Sequence, residues 1–330
     1  MITPKFDIGL IDRGMMLYPP SPRGWTINTP QNTRFGWDPT YIDKHGQEFS
    51  PWFFAKNCAA VLGYVRNNGC DERIREMAEY LHGAAAAHVE VFGPHHYVRN
   101  DFPFSFLWRY MQPPFYGAFM NNVTAFGYLQ LYEATQSDRF LLLADRLLMT
   151  SVDRSAPVPL TSGVASDCWL LEYVFHLSPD DHAAAGRMGL RTINNWFVMR
   201  VFNGHIHALL ALMRFRAMTA LTFYDEAIEQ AIDTMAKHLP HQLYKGRYFS
   251  YGPEPEIWPD YGQARACHLA EYLGMITGRD DIQSTASSMR KVFTSAIEPR
   301  QAEIVAEGMN DCLQAFGRPH KAPNAEPANS

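Results

Sequence analysis

Apolar positions fall into helical rhythm soon after residue 50. Ser50-Pro51 sets a capping hydroxyl before a proline at the first helical position. Phe54, Cys58, Val61, Leu62 and Val65 then recur at three- and four-residue spacing. The pattern predicts a helix over 51–67, ended by Asn68-Gly69. Asp71 caps a second helix that runs to Val91, with Ile74, Met77, Ala78, Leu81 and Ala85 on one face, and Gly93-Pro94 stops it. A third helix covers 117–136, and Ser137-Asp138 opens a fourth to about residue 150. Helices follow over 203–219, over 222–239 up to Pro240, over 262–277 up to Gly278, and over 280–296. A last helical stretch occupies 300–316.

The stretches between these helices have another texture. Residues 95–116 are irregular and rich in rings: Tyr97, Phe102, Phe104, Phe106, Trp108, Tyr110, Phe115 and Tyr116. The apolar run Trp169–Leu177 fits either a strand or a turn of helix, and residues 244–251 read as a short strand. Residues 1–50 carry Pro4, Pro19, Pro20, Pro22, Pro30 and Pro39 among Gly and Asn. They read as an extended N-terminal arm with little to bury. Residues 318–330 read as a disordered tail, leaving 51–317 as one domain.

The helices pair as hairpins: 51–67 with 71–91, 117–136 with 138–150, 203–219 with 222–239, and 262–277 with 280–296. Links are short within pairs and long, aromatic and strand-like between them. That asymmetry suits a mainly α fold, an incomplete α/α barrel of four hairpins whose long loops gather at one end. The same spacing also fits a plain helical array without a site.

Composition narrows the function classes. Charged residues are 19% and the net charge is −5, which argues against nucleic acid as a partner. Aromatics at 13% suit either sugar binding or a well-filled helical core. No run reaches the ~20 apolar residues that span a bilayer. Met1–Asp12 lacks the basic-then-apolar pattern of a secretory leader. Cys58, Cys70, Cys168, Cys267 and Cys312 are scattered and form no C-x-x-C pair, which fits a reducing compartment, cytoplasmic by default. Phosphate-binding, nucleophile-elbow and H-E-x-x-H motifs are absent. His205 and His207, two apart on a helix, point to different faces and do not share a metal. No cofactor or metal is expected.

Four stretches stand at or just after the long connectors: 112–119, 167–173, 201–212 and 246–273. Pro113-Pro114-Phe115-Tyr116-Gly117 is similar to a Pro-Pro-Trp-Tyr-Ser helix start. Trp169-Leu170-Leu171-Glu172-Tyr173 is similar to a Trp-Tyr-Glu-Glu-Tyr segment. Asn203-Gly204 through Leu212 is similar to an Asn-Gly-x-x-x-x-Leu-x-Gly-Leu helix. Tyr251 in a short strand, then Asp260-Tyr261 with Leu269 eight residues on, complete the set. In this order the motifs resemble the C-terminal catalytic domain of D-glucuronyl C5-epimerases, which convert glucuronate to iduronate within heparosan-type glycans. Departures are Phe119-Met120-Asn121-Asn122-Val123 for Met-Ala-Gln-Gly-Gln, Arg265 for a histidine, and Glu254 for an arginine.

The resemblance implies a uronic-acid-containing oligo- or polysaccharide as substrate. It places Glu172 and Tyr261 on the two sides of the sugar ring, with Tyr251 as a third hydroxyl that assists. Arg265, one turn beyond Tyr261 and standing where the family has a histidine, offers a cation to lower the Tyr261 pKa. Tyr116, Tyr173 and Trp258 suit sugar stacking or packing, and Asn203 suits a helix start or a substrate contact. Arg99 and Arg109 suit the substrate carboxylate or surface ion pairs. The rival readings are a uronate lyase, a glycosidase using Glu172 with Asp260, and a non-catalytic glycan-binding module. A truncated toroid exposes helix faces, so a homodimer is expected.

Overall fold

The chain is described by a computed structural model at residues 6–15, 49–101, 104–106, 109–111, 113–162, 167–176, 192–193, 195–244, 248–250, 252–253 and 263–296. Its helices are α1 (Ile8–Met15), α2 (Pro51–Asn68), α3 (Glu72–Ala86), α4 (Ala118–Thr135), α5 (Asp138–Val152), α6 (Phe202–Thr219), α7 (Asp225–His238), α8 (Gln263–Thr277) and α9 (Asp280–Ala296). The structure is mainly helical, as the pattern predicts. The expected helix over 300–316 and the tail over 318–330 lie outside the described residues.

Charge divides these helices into two sets. Residues 118–132 and 202–213 hold no Asp, Glu, Lys or Arg. A helix without a polar face needs cover on all sides. Accordingly α4 is buried from Ala118 to Leu131 and α6 from Phe202 to Phe215. α2 packs on α4, α4 on α6 and α6 on α8, while α3, α5, α7 and α9 pack behind them as the second members of four hairpins. The outer α5 and α7 bury single stripes, Phe140-Ala144-Leu147-Leu148 and Ile228-Ala231-Ile232-Met235.

Polar side chains stitch the inner helices. Asn122 on α4 donates to the Ala208 carbonyl of α6 at 2.9 Å and accepts from Ser151 Oγ of α5 at 2.5 Å. Neighbouring Asn121 accepts from the Val98 N–H at 2.8 Å and donates to the His96 carbonyl at 2.8 Å. Both amides are fully buried, so the sequon at Asn122-Val123-Thr124 offers no accessible acceptor in the folded chain. Asn122→Ala removes the hydrogen bonds to the buried Ala208 carbonyl and Ser151 hydroxyl, the latter keeping the Leu147 carbonyl at 3.0 Å. It should cost about 2 kcal/mol, read as a fall in the urea midpoint at unchanged slope.

Two expectations are corrected. The arm over 1–50 is not extended throughout, because Ile8–Met15 is helical. Asp7 caps it through the Leu10 N–H at 3.1 Å, and Ile11 and Met15 are buried as it docks on α6 and α8. So short a helix owes its stability to docking rather than propensity. The second helix ends at Ala86, not Val91. Residues Val89–Phe92 form β1, which pairs antiparallel with β2 (His95–Val98) around Gly93 at φ +62°. Val89 and Val91 are stiff, β-branched residues that favour a strand over a last helical turn.

The connectors carry the remaining strands. β3 (Phe104–Phe106) pairs with β4 (Arg109–Met111), and β5 (Thr161–Ser162) pairs with β6 (Trp169–Leu170). β7 (Tyr173–His176), β8 (Thr192–Ile193) and β9 (Trp196–Met199) form a three-stranded sheet in the order β7-β9-β8. Within the undecided run, Trp169–Leu170 and Tyr173–His176 are thus strand, and Leu177 lies outside the described residues. The single strand expected over 244–251 is a hairpin of β10 (Leu243–Tyr244) and β11 (Tyr248–Phe249). Among the described residues no helix is long and apolar enough to cross a membrane.

Candidate functional site

Glu172 is the lone acid in the apolar stretch 168–175 and is buried to 3% exposure. Its main chain is held on three sides. The Glu172 N–H donates to the Met199 carbonyl at 3.1 Å. The Leu171 carbonyl accepts from Ala118 N–H at 2.7 Å. Val174 and Tyr116 exchange both backbone hydrogen bonds, at 2.7 and 2.9 Å. The segment is therefore fixed by β9, by the start of α4 and by Tyr116, two residues before that helix. Burying a carboxylate is costly unless its surroundings compensate, so its placement is specific rather than incidental.

The same knot of backbone brings other candidates together. Tyr116 lies across from Val174, with its ring 6.3 Å from that of Trp196. Tyr173 packs against Phe115 at 6.0 Å. Asn203 opens α6 beside Gly204 and keeps 9% exposure. Tyr116, Glu172, Tyr173 and Asn203 thus share one end of the inner helices, where the long connectors begin.

Tyr116 donates to Glu90 Oε2 at 2.6 Å. Burial, then this carboxylate, pushes its phenol well above the usual tyrosine range. It therefore stays protonated, serving as a donor and packing face rather than as a base. Glu90 also takes Arg99 Nη1 at 2.9 Å, and Arg99 Nε meets Asp101 at 2.5 Å. The Arg99 guanidinium is thus engaged by two acids, the ion-pair alternative of the sequence reading. Arg109 lies in β4 and Arg265 in α8. The side chains of both lie outside the described residues, as do Tyr251, Trp258, Asp260 and Tyr261.

The two histidines of α6 do face apart, and each has a defined tautomer. His205 accepts from the Leu170 N–H at Nδ1 (3.0 Å), so its Nε2–H donates to the Ala231 carbonyl (3.0 Å). His207 donates from Nδ1 to the Asn203 carbonyl at 2.6 Å. Its ring stands edge-on to Trp52 at 5.0 Å and 6.0 Å from Phe119. The sequence reading missed Trp52, which no motif flags and only the α2–α4 contact brings here. Among the described residues no group of three or more His, Cys, Asp or Glu side chains could hold a metal ion.

Burial lowers the His205 pKa from 6.5 to about 4. As pH falls through 6.5 the unfolded chain takes a proton that the folded chain refuses until about 4. This contribution to stability is full above 6.5 and is lost as pH falls toward 4, in all ~3 kcal/mol. Urea midpoints should therefore drop steeply between about pH 6.5 and pH 4. His205→Gln, which removes the titration, should flatten the drop; an equally steep one would clear His205.

Comparison with known proteins adds one finding to this geometry. No curated protein matches the chain. A family model described as D-glucuronyl C5-epimerase C-terminus matches residues 95–291, more than half of the chain, and the match spans Tyr116, Glu172, Tyr173, Asn203 and the start of α8. The chain belongs to the D-glucuronyl C5-epimerase C-terminus family.

Proposed function

We propose that this protein inverts C5 of uronic acid residues within a glycan, on an incomplete α/α barrel whose inner helices are α2, α4, α6 and α8. Inversion removes the proton α to the uronate carboxylate from one face of the ring and returns one to the other. Two proton-transfer groups must flank the sugar. The negative charge spreads onto the carboxylate during the step, so donors or cations must meet it there. Glu172 takes one face and Tyr261 the other, with Tyr251 assisting and Arg265 lowering the Tyr261 phenol toward a usable range. Asn203, with Tyr173 and Trp258, contacts the sugar.

The observation that supports this reading is the seat of Glu172. Glu172, from a segment inside the family match, is buried, with its carboxylate against the first turn of α6 and its backbone carbonyl beside the start of α4. Incubation with a glucuronate-containing oligosaccharide in heavy water should put deuterium at C5. No unsaturated uronate should appear in the ultraviolet. Absorbance without deuterium in recovered substrate means a lyase, and binding without either means a glycan-binding module.

A further inference from the structure

Two inner helices begin without a capping side chain. Gly117 opens α4 and Val201 opens α6, and neither bonds the first turn through a side chain. The first-turn N–H groups then need an acceptor from elsewhere. For α4 it is the Leu171 carbonyl, which takes the N–H groups of Ala118 at 2.7 Å and Phe119 at 3.3 Å. At α6 the next residue's carboxylate, that of Glu172, lies against the first turn by proximity to Gly204. A Cβ on Gly204 would stand 2.9 Å from both Cβ and Cδ of Glu172, and closer still to Oε2. A Cβ on Gly117 would run into the Glu172 carbonyl oxygen, with the carbonyl carbon at 2.8 Å. Real Cβ atoms essentially never come nearer than 3.0 Å to such neighbours.

We propose that Gly117 and Gly204 form a two-sided socket for Glu172, and that Gly204 is a positioning residue which lets its carboxylate rest on the first turn of α6. The inference rests on the reading of Glu172 as a proton-transfer group. The two glycines differ in what they meet. Gly117 meets main chain, so it governs how closely α4 approaches the 171–172 peptide. The atoms nearest a methyl on Gly204 are Oε2, Cβ and Cδ of the Glu172 side chain, so a methyl there displaces the carboxylate. The positive end of a helix favours a negative charge at that point. A proton-transfer group displaced by about 1 Å loses roughly a hundredfold in rate.

The full chain carrying Gly204→Ala is the test, assayed by C5 deuterium exchange on a glucuronate oligosaccharide. The expected result is kcat lower by about a hundredfold with KM within about threefold, since the sugar contacts remain. Glu172→Asp withdraws the carboxylate by one methylene and relieves the contacts of the new methyl with Oε2 and Cδ, while that with Cβ remains. Added to Gly204→Ala, it should recover part of the thermal midpoint, and should not do so when added to Gly117→Ala, whose clash is with main chain. Wild-type kcat in Gly204→Ala, or no recovery by Glu172→Asp, overturns the socket. Full exchange in Glu172→Gln instead overturns the role of Glu172 and leaves the thermal coupling to judge the socket.

Discussion

Glu172→Gln is expected to abolish C5 deuterium exchange, by about a thousandfold or more, while the protein stays folded. A positioned acid–base group contributes roughly a hundred- to ten-thousandfold, and glutamine keeps the shape of the side chain while removing its basicity. Glu172 is buried to 3% exposure, so replacing a charge with a neutral amide of equal size eases its desolvation. The thermal midpoint should stay level or rise. The opposite pattern, lower stability with full exchange, is what a purely structural carboxylate would give. The two readings thus differ in sign on two measurements.

The product formed by the parent protein separates the enzymatic rivals. Epimerase and lyase share the first proton abstraction, so both fail in Glu172→Gln, yet only the lyase yields an unsaturated product from the parent protein. A glycosidase leaves C5 untouched and releases a reducing end in light or heavy water. The spent polarity of the 119–123 segment does not favour a decayed site. Asn121 and Asn122 are occupied in joining α4 to β2, α5 and α6. Polar residues that differ from the family pattern there serve the scaffold.

Much of the scaffold is legible in the chain because α4 and α6 have no charged face to show solvent. Such helices announce themselves as interior, and their hairpin partners follow from short links. Two elements were illegible for physical reasons. α1 is too short for periodicity to register and is held by Asp12 on Arg214, a contact across 202 residues. β1 continues the amphipathic rhythm of α3 closely enough to be read as more helix. That error also hid the Arg99–Glu90 pair, because only a hairpin turns those two side chains together. In the site, Glu172 is visible as an acid inside an apolar run. Its seat against Gly204 is not, because no local pattern links the two segments.

Arg214→Met should destabilise the protein by about 3 kcal/mol and loosen α1 from α6. Arg214 is fully buried, and its guanidinium holds Asp12 of α1 at 2.8 Å through Nε and Glu133 of α4 at 2.8 Å through Nη2. The Phe126 ring lies 5.0 Å from its central carbon. Removing one member of a buried ion group leaves uncompensated charge, which typically costs about 3–5 kcal/mol. The lower end applies here because Arg66 of α2 also reaches Glu133, at 2.6 Å, and stands 3.9 Å from Asp12. Amide exchange at Ile11 and Met15 should rise well before global unfolding, since α1 loses its ionic tie to α6 and keeps its apolar contacts and the longer Asp12–Arg66 pair. Arg214→Lys keeps the charge but not the two-pronged donor geometry and should fall between the two. A methionine variant within about 1 kcal/mol of the parent, with unchanged exchange at Ile11, would mean that α1 docks through Ile11 and Met15 alone and that Arg66 suffices for both acids.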